Sequence, residues 1–436
     1  MILRLTIYFF CTFLYISVTS SCKKNKSTLA KETSFSQGEI HNSIDGSNGE
    51  VVSELASSEL NSNGSNQTKE NADLVKKSKQ QAFANEEFPI IFFGMINTDR
   101  AFELAKKWGA THVHSYGLGK SKKRDQNFFD RAAEYELKVM ANLGGRYWIK
   151  QNNGVDSMRA LVRHFKDHPA LGFWYLFDEP DNKGFQPAEL KPFYRMIHEE
   201  TPNIPVAISH ARSKHWYRYG QVQDMFLYNN YPVEGEEFPQ SELNVWTNFA
   251  KAAMKREEKD NNIVIPVLQM FNWRAFAKKS QKKFRGFAIE KLRYPNQQEL
   301  RYMSFASIAL GSPGLSFFSY YRARTPRKNW PGHVLAPVLQ EVKKFSNHIT
   351  ETKMQQITGG KNNLFLTQWV DEQSAYILLA NASPNSRTIR QSLDNNLETG
   401  QLEPWGKTRK AKAALEGGRI IVEQVKPWEV LIWKVQ

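Results

Sequence analysis

What most constrains this chain is an alternation repeated eight times. From about residue 86 onward, short runs rich in β-branched and aromatic residues take turns with stretches of helical periodicity. The β-type runs fall at residues 90–97, 111–117, 138–144, 170–178, 205–210, 224–231, 265–271 and 314–321. The amphipathic stretches fall at 99–108, 126–136, 156–166, 187–200, 243–258, 297–310 and 335–348. Parallel strands need crossover helices, and eight β-type runs with amphipathic stretches between them predict a closed (β/α)8 barrel over residues 86–351. An open doubly wound sheet is the competitor. Its Gly-rich phosphate loop is missing after the first strand, where Phe93-Gly94-Met95-Ile96-Asn97 stands. Beyond residue 351 the pattern becomes short β-type runs at 363–369, 375–380, 387–392, 419–423 and 429–435, parted by Gly, Asn and Pro, which predicts a small β-sandwich over 352–436.

The N-terminus has a different grammar. Arg4 precedes the apolar run 5–15, and Val18, Thr19, Ser20 and Ser21 lead to Cys22, followed by two lysines. An apolar core this short is a signal-peptide core, so residues 1–21 are expected to be removed. A cysteine directly after small residues resembles the lipobox of bacterial lipoproteins, with Thr19 where Leu is commonest, and implies a lipidated Cys22 that fixes the protein to a membrane of the cell envelope. Residues 22–85 are dominated by Ser, Asn, Lys and Glu and cannot bury enough apolar surface to order themselves, so they read as a tether. Some 60 flexible residues reach roughly 40 Å. Cys11 and Cys22 are the only cysteines, so the remainder of the chain has no disulfide, thiolate metal site or cysteine nucleophile.

Barrel chemistry sits where strands end. The fourth β-type run, Ala170-Leu171-Gly172-Phe173-Trp174-Tyr175-Leu176-Phe177, ends in Asp178-Glu179-Pro180. Burial raises a carboxyl pKa and a neighbouring carboxylate raises it further, so one of the pair is suited to act as a general acid. Glu179 is the candidate, with Asp178 beside it to position substrate or water. A Glu before Pro can equally cap a following helix, but the eight-strand frame favours chemistry.

Trp-x-x-x-Asp-Glu-Pro at the end of strand four resembles the Asn-Glu-Pro signature of clan A glycoside hydrolases. The resemblance spans the barrel and implies acid/base catalysis by Glu179 on a polysaccharide or oligosaccharide. Two positions depart from it. Asp178 stands in place of Asn, and strand seven carries Gln269 where the clan places its nucleophilic Glu. Gln cannot form a glycosyl ester, and a retaining mechanism needs carboxyls about 5–5.5 Å apart whereas inversion uses roughly 6.5–9.5 Å. Three outcomes stay open. Asp178 or one of Glu234, Glu236 and Glu237 activates water; or the Asp178-Glu179 pair, similar to that of family 20 hexosaminidases, works with a 2-acetamido group of the substrate; or activity is lost and the barrel binds glycans as a lipoprotein.

Other strand ends supply candidate subsite residues: Arg146 after strand three, His210 on strand five, Asn230 and Tyr231 after strand six, Gln269 on strand seven, Trp273 beyond it and Tyr320 after strand eight. Aromatic faces stack on sugar rings and amides bond their hydroxyls. None of these residues has metal-site spacing, and no metal or cofactor is expected. Lys and Arg number 59 against 44 Asp and Glu, a net charge of +15. The tether's charges nearly cancel, so the excess lies on the folded part. Four loops after strands are dense in it: Lys120, Lys122, Lys123 and Arg124; Arg212, Lys214 and Arg218; Lys278, Lys279, Lys282, Lys283 and Arg285; Arg322, Arg324, Arg327 and Lys328. A basic rim concentrates an anionic substrate, which points to a uronate-bearing or sulfated glycan. Nucleic acid is not expected, since no binding motif accompanies the charge.

Overall fold

A computed structural model describes residues 87–436 except 212, 236–240, 259, 261, 279, 324–328, 350–352, 371–373, 394–396 and 398. The expected signal peptide, Cys22 and the expected tether lie outside the described residues, as do Glu236 and Glu237. Among the described residues no helix is long and apolar enough to cross a membrane.

Eight parallel strands close into a barrel: Ile90–Phe92, His112–Val113, Lys138–Asn142, Leu171–Asp178, Val206–His210, Met225–Asn229, Ile263–Gln269 and Leu315–Phe318. Closure comes from the first strand pairing with the eighth, Ile90 opposite Leu315 and Phe92 opposite Phe317. All eight predicted strands form, most of them shorter than the apolar runs that announced them. The interior is filled by inward side chains such as Ile91, Met140, Phe173, Met225 and Ile265, so the barrel is a packed plug whose chemistry is confined to its end.

Local signals account for the helices. Pro187–Glu200 begins with a capping box between Gln186 and Glu189 and has Pro187 in its first turn, matching the predicted span. Asp99–Trp108 ends at Gly109, whose φ of 102° closes the helix in the left-handed region. Gln297–Ala309 is capped by Asn296 and Glu299 and is buried almost all round, because barrel strands cover one side and the C-terminal domain covers the other.

That domain is a sandwich of a five-stranded and a three-stranded antiparallel sheet. Three of its strands went unread in the sequence, Lys353–Gln356, Leu402–Pro404 and Ala413–Glu416, all short or polar. Alternation along the central strands is buried on both faces. Leu366, Ile377, Leu379, Leu431 and Trp433 point between the sheets, while Phe365, Trp369, Leu378 and Ile432 pack on the barrel helices. Arg301, on Gln297–Ala309, forks onto Glu341 with two contacts of 2.9 Å and donates to Val430 O at 2.6 Å, pinning barrel and sandwich together.

Candidate active site

The geometry at the end of strand four rests on a change of register. Against strand five, Tyr175 pairs with Ala207 and Asp178 with Ser209, so three residues advance on one strand for two on the other. Leu176 and Phe177 consequently both face the helices, and Asp178 regains the inward face that Tyr175 holds. Were the same residues paired one for one, alternation would carry Asp178 outward.

Asp178 is held from several sides. Tyr175 donates to its Oδ1 at 2.7 Å and Ser209 at 3.2 Å, Tyr116 lies 3.5 Å away, and Lys183 Nζ stands 2.6 Å from Oδ2. Burial alone would raise this carboxyl's pKa, but the Lys183 ammonium and the hydroxyl donors outweigh burial and hold it below the usual carboxylate range. Asp178 is therefore an anion fixed in place.

Glu179 ends the strand with φ 53° and ψ 59°, a left-handed conformation that costs a non-glycine residue about 1–3 kcal/mol. Its amide bonds Ser209 O at 3.0 Å, and its carbonyl accepts from Asn182 and Lys183 to start the short helix Pro180–Lys183. The turn lifts the side chain to the barrel mouth. There Asn229 Nδ2 donates to Oε1 at 2.8 Å and Asn182 Nδ2 to Oε2 at 3.1 Å. Burial, and then the Asp178 charge, push the Glu179 pKa upward against Lys183 and the two amides. One carboxyl of the pair is driven down and its neighbour up, the separation that acid catalysis requires.

Aromatic rings floor and wall the mouth. His114 is fully buried against Phe93, Tyr116 and Tyr175, and burial lowers its pKa to about 3, so it is a neutral ring beneath the acid pair. Tyr231 stacks on Phe318 with centroids 5.7 Å apart, and burial followed by the Glu179 and Asp178 charges raises its phenol pKa. Tyr321 lies across Gly94, where a Cβ would come within 2.5 Å of its ring. Only glycine fits there, and its φ of 71° asks for the same residue.

Several expected subsite residues lie elsewhere, two of them, His210 and Asn230, because of strand parity. Gln269 faces inward but is wholly buried: Val233 N donates to its Oε1 at 2.9 Å, and its Nε2 donates to Val233 O at 2.7 Å and Phe271 O at 3.2 Å. It pins the loop after strand six over the end of strand seven and has no amide hydrogen left for a sugar. His210 points outward, stacked on Phe226 and bonded to Gln223 at 2.8 Å; Ser209 takes the inward place. Asn229 rather than Asn230 reaches Glu179. Trp273 is core, packed on Phe271 and Phe276 beneath the Arg285 guanidinium. Tyr320 is 1% exposed against Trp108, whereas Tyr321 is 38% exposed at the mouth. Arg146 is exposed on the short helix Gly145–Trp148. Glu234, a candidate base, is paired with Arg285.

Of the basic rim, Lys120, Lys122, Lys123, Arg124, Arg218, Lys278, Lys282 and Lys283 are exposed. Arg322 is folded inward, over Phe276 at 3.9 Å and bonded to Ala275 O at 2.6 Å. Arg212, Lys279, Arg324, Arg327 and Lys328, and the side chain of Lys214, lie outside the described residues. No group of three or more His, Cys, Asp or Glu able to hold a metal occurs among the described residues.

Sequence comparison identifies no relative: no protein-family model and no curated protein matches the chain. Solved structures do match. A maltogenic α-amylase from Thermotoga neapolitana superposes with a TM-score of 0.51 at 10% identity, covering 80% of this chain and 99% of that one. The α-amylase of Geobacillus thermoleovorans, solved with acarbose, gives 0.51 at 8% identity over 80% and 98%. A cyclomaltodextrinase gives 0.51 at 10% identity over 82% and 79%. The chain shares the α-amylase barrel fold. At these identities the likeness is one of architecture, and the α-amylase-type barrel fixes where a site belongs without naming its residues. Tyr116, Tyr175, Lys183, Ser209 and Asn229 form the site with Asp178 and Glu179. Tyr116, Tyr175, Ser209 and Asn229 lie within β-type runs marked in the sequence and Lys183 lies just beyond one, and strand parity pointed to Ser209 and Asn229.

Proposed function

We propose that the protein is a glycoside hydrolase in which Glu179 gives its proton to the leaving glycosidic oxygen. The observation that carries this reading is the opposed shift of two adjacent carboxyls at the mouth of a (β/α)8 barrel: Asp178 an anion gripped by Lys183, Tyr175 and Ser209, and Glu179 held toward its acid form by burial and by that anion. As the C–O bond breaks, positive charge grows on the ring, and the fixed Asp178 carboxylate is placed to stabilise it or to orient the attacking group. Gln269, covered by Val233, is no nucleophile, so attack at the anomeric carbon comes from water or from a 2-acetamido group of the substrate itself. Tyr116, Tyr231 and Tyr321 supply faces for the sugar ring. The exposed lysines on the loops after strands two and seven favour an acidic glycan, uronate-bearing or sulfated. The sequence before residue 86 supports export and attachment to the bacterial cell envelope, in the outer membrane, through a lipid on Cys22.

The deciding experiment measures reducing-end release from neutral, uronate-rich, sulfated and N-acetylated polysaccharides, with Glu179→Gln alongside. Release from one class that disappears in Glu179→Gln is the expected result; release that persists in the variant overturns the assignment. A second reading, a glycan-binding lipoprotein on a hydrolase barrel, is favoured by the buried Gln269. Binding with no release from any polysaccharide would establish it.

A further inference from the structure

A second concave surface lies away from the barrel mouth, where the helix Ala336–Ile349 meets the loop after Leu402–Pro404. It encloses about 570 Å³, comparable with a small-ligand site. Its floor is rigid. Glu341, buried and neutralised by Arg301, accepts the Lys407 amide at 2.9 Å, and Gly406 sits so close that a Cβ would come within 2.7 Å of Glu341 Oε1. Glycine at this turn, with φ 63°, seats the loop on the helix.

Trp405 is the half-buried ring of the groove. Its amide bonds Ile432 O at 2.8 Å, and its ring packs at steep angles on Phe345 and His348, with centroids 5.3 and 5.8 Å apart, so the indole is held while part of it stays open. Around it stand the exposed side chains of Gln340, Lys344, Asn347 and Lys407, none of which has a partner among the described residues. Among the described residues that line the groove the only carboxylate, Glu341, is already paired with Arg301, so the charge these residues present to a ligand is positive.

An apolar plate for one face of a ring, free amides at its border and unpaired ammonium groups match one ligand chemistry. We propose that this groove is a second carbohydrate site, taking a segment of acidic oligosaccharide with a pyranose ring on Trp405 and its carboxylate or sulfate groups on Lys344 and Lys407. The choice of a glycan rests on the hydrolase reading above. The groove would hold polymer while the barrel mouth cuts it.

The test is calorimetric binding to the full chain carrying Glu179→Gln, so that no probe is consumed. The probes are a tetragalacturonate, its methyl ester, a sulfated galactan tetrasaccharide and maltotetraose. Expected are binding of at least one acidic probe, no comparable binding of the methyl ester or maltotetraose, and a loss of affinity of about ten-fold or more in Lys344→Glu/Lys407→Glu. Trp405→Ala should show the same loss; the charge-reversal pair, which leaves the packing of Trp405 on Phe345 intact, guards against misfolding of that variant. With Glu179 restored, turnover of a soluble oligosaccharide should be unchanged in the lysine variant. Equal affinity with and without the lysines, neutral probes binding as well as acidic ones, or no binding by any probe would overturn the proposal. Acidic binding lost in the lysine variant, with no hydrolysis by the parent, would sink the hydrolase reading alone.

Discussion

Lys183 Nζ stands 2.6 Å from Asp178 Oδ2, five residues along the chain and one helical turn beyond Pro180. This ion pair assigns the roles at the site. Because the ammonium keeps Asp178 anionic, the neighbouring Glu179 feels a fixed negative charge and retains its proton to higher pH.

Removing the ammonium should therefore displace the whole pH profile. On the proposed mechanism activity needs Asp178 ionised and Glu179 protonated, and Lys183 lowers both pKa values. In Lys183→Met both rise, so the limbs of the kcat/KM profile should move to higher pH together. A profile that keeps its limbs while losing height would disconnect Lys183 from the pair.

Glu179→Gln should lose activity by about 10²- to 10⁴-fold, the usual contribution of a general acid. It should also gain relative stability as pH rises. The Glu179 pKa is raised in the fold, so its favourable contribution is full at low pH and disappears as pH rises through the folded-state pKa. Gln does not titrate. Melting temperatures at pH 5 and pH 8 should show the variant gaining on the parent at the higher pH, and a constant difference would contradict the burial of this acid.

Asn229→Ala removes the 2.8 Å donor to Glu179 Oε1. That bond favours the ionised form, so the basic limb should shift upward. A bond to a charged group is worth about 1.5–3 kcal/mol, or roughly 10- to 100-fold in rate. Asn230→Ala, one residue on, is the control and should change little.

Gln269→Glu restores the residue type expected of a strand-seven nucleophile and should not create one. Its carboxylate would face the carbonyls of Val233 and Phe271 with no solvent, replacing two donated bonds by repulsion. An unsatisfied buried polar group costs about 1–3 kcal/mol and a charge costs more, so the melting temperature should fall by several degrees. Mass spectrometry with an activated fluoro-sugar should detect no glycosyl ester. A covalent adduct at this position would overturn the structural role given to Gln269.

The barrel was legible because apolar runs and helical periods are local signals, the first read eight times and the second seven. Pro187–Glu200 emerged at its predicted ends because Gln186, Pro187 and Glu189 spell out its start. The acid pair was legible too, since Asp178-Glu179-Pro180 interrupts an apolar run. Its supporting cast was not, because facing depends on register. Alternation from Ala207 and Leu227 would have chosen Ser209 and Asn229 over His210 and Asn230. Nothing local marked the extra residue in strand four, nor the loop that closes over Gln269, since both are settled by pairing between distant segments. The short strands of the sandwich escaped for a related reason: Lys353–Gln356 and Leu402–Pro404 owe their conformation to neighbours rather than to their own composition.

The register step between Tyr175 and Asp178 makes the site a matter of parity. Loops after the strands can lengthen or shorten without altering which way Asp178 faces, so glycan preference can drift while the acid pair stays put. Pairing strand four one for one against strand five would instead turn Asp178 toward the helices and bring Phe177 to the mouth, exchanging a fixed anion for a hydrophobic plug without changing a single side chain. Strand four thus carries its instruction in its register, and a slip there would be far more damaging than most changes of side chain.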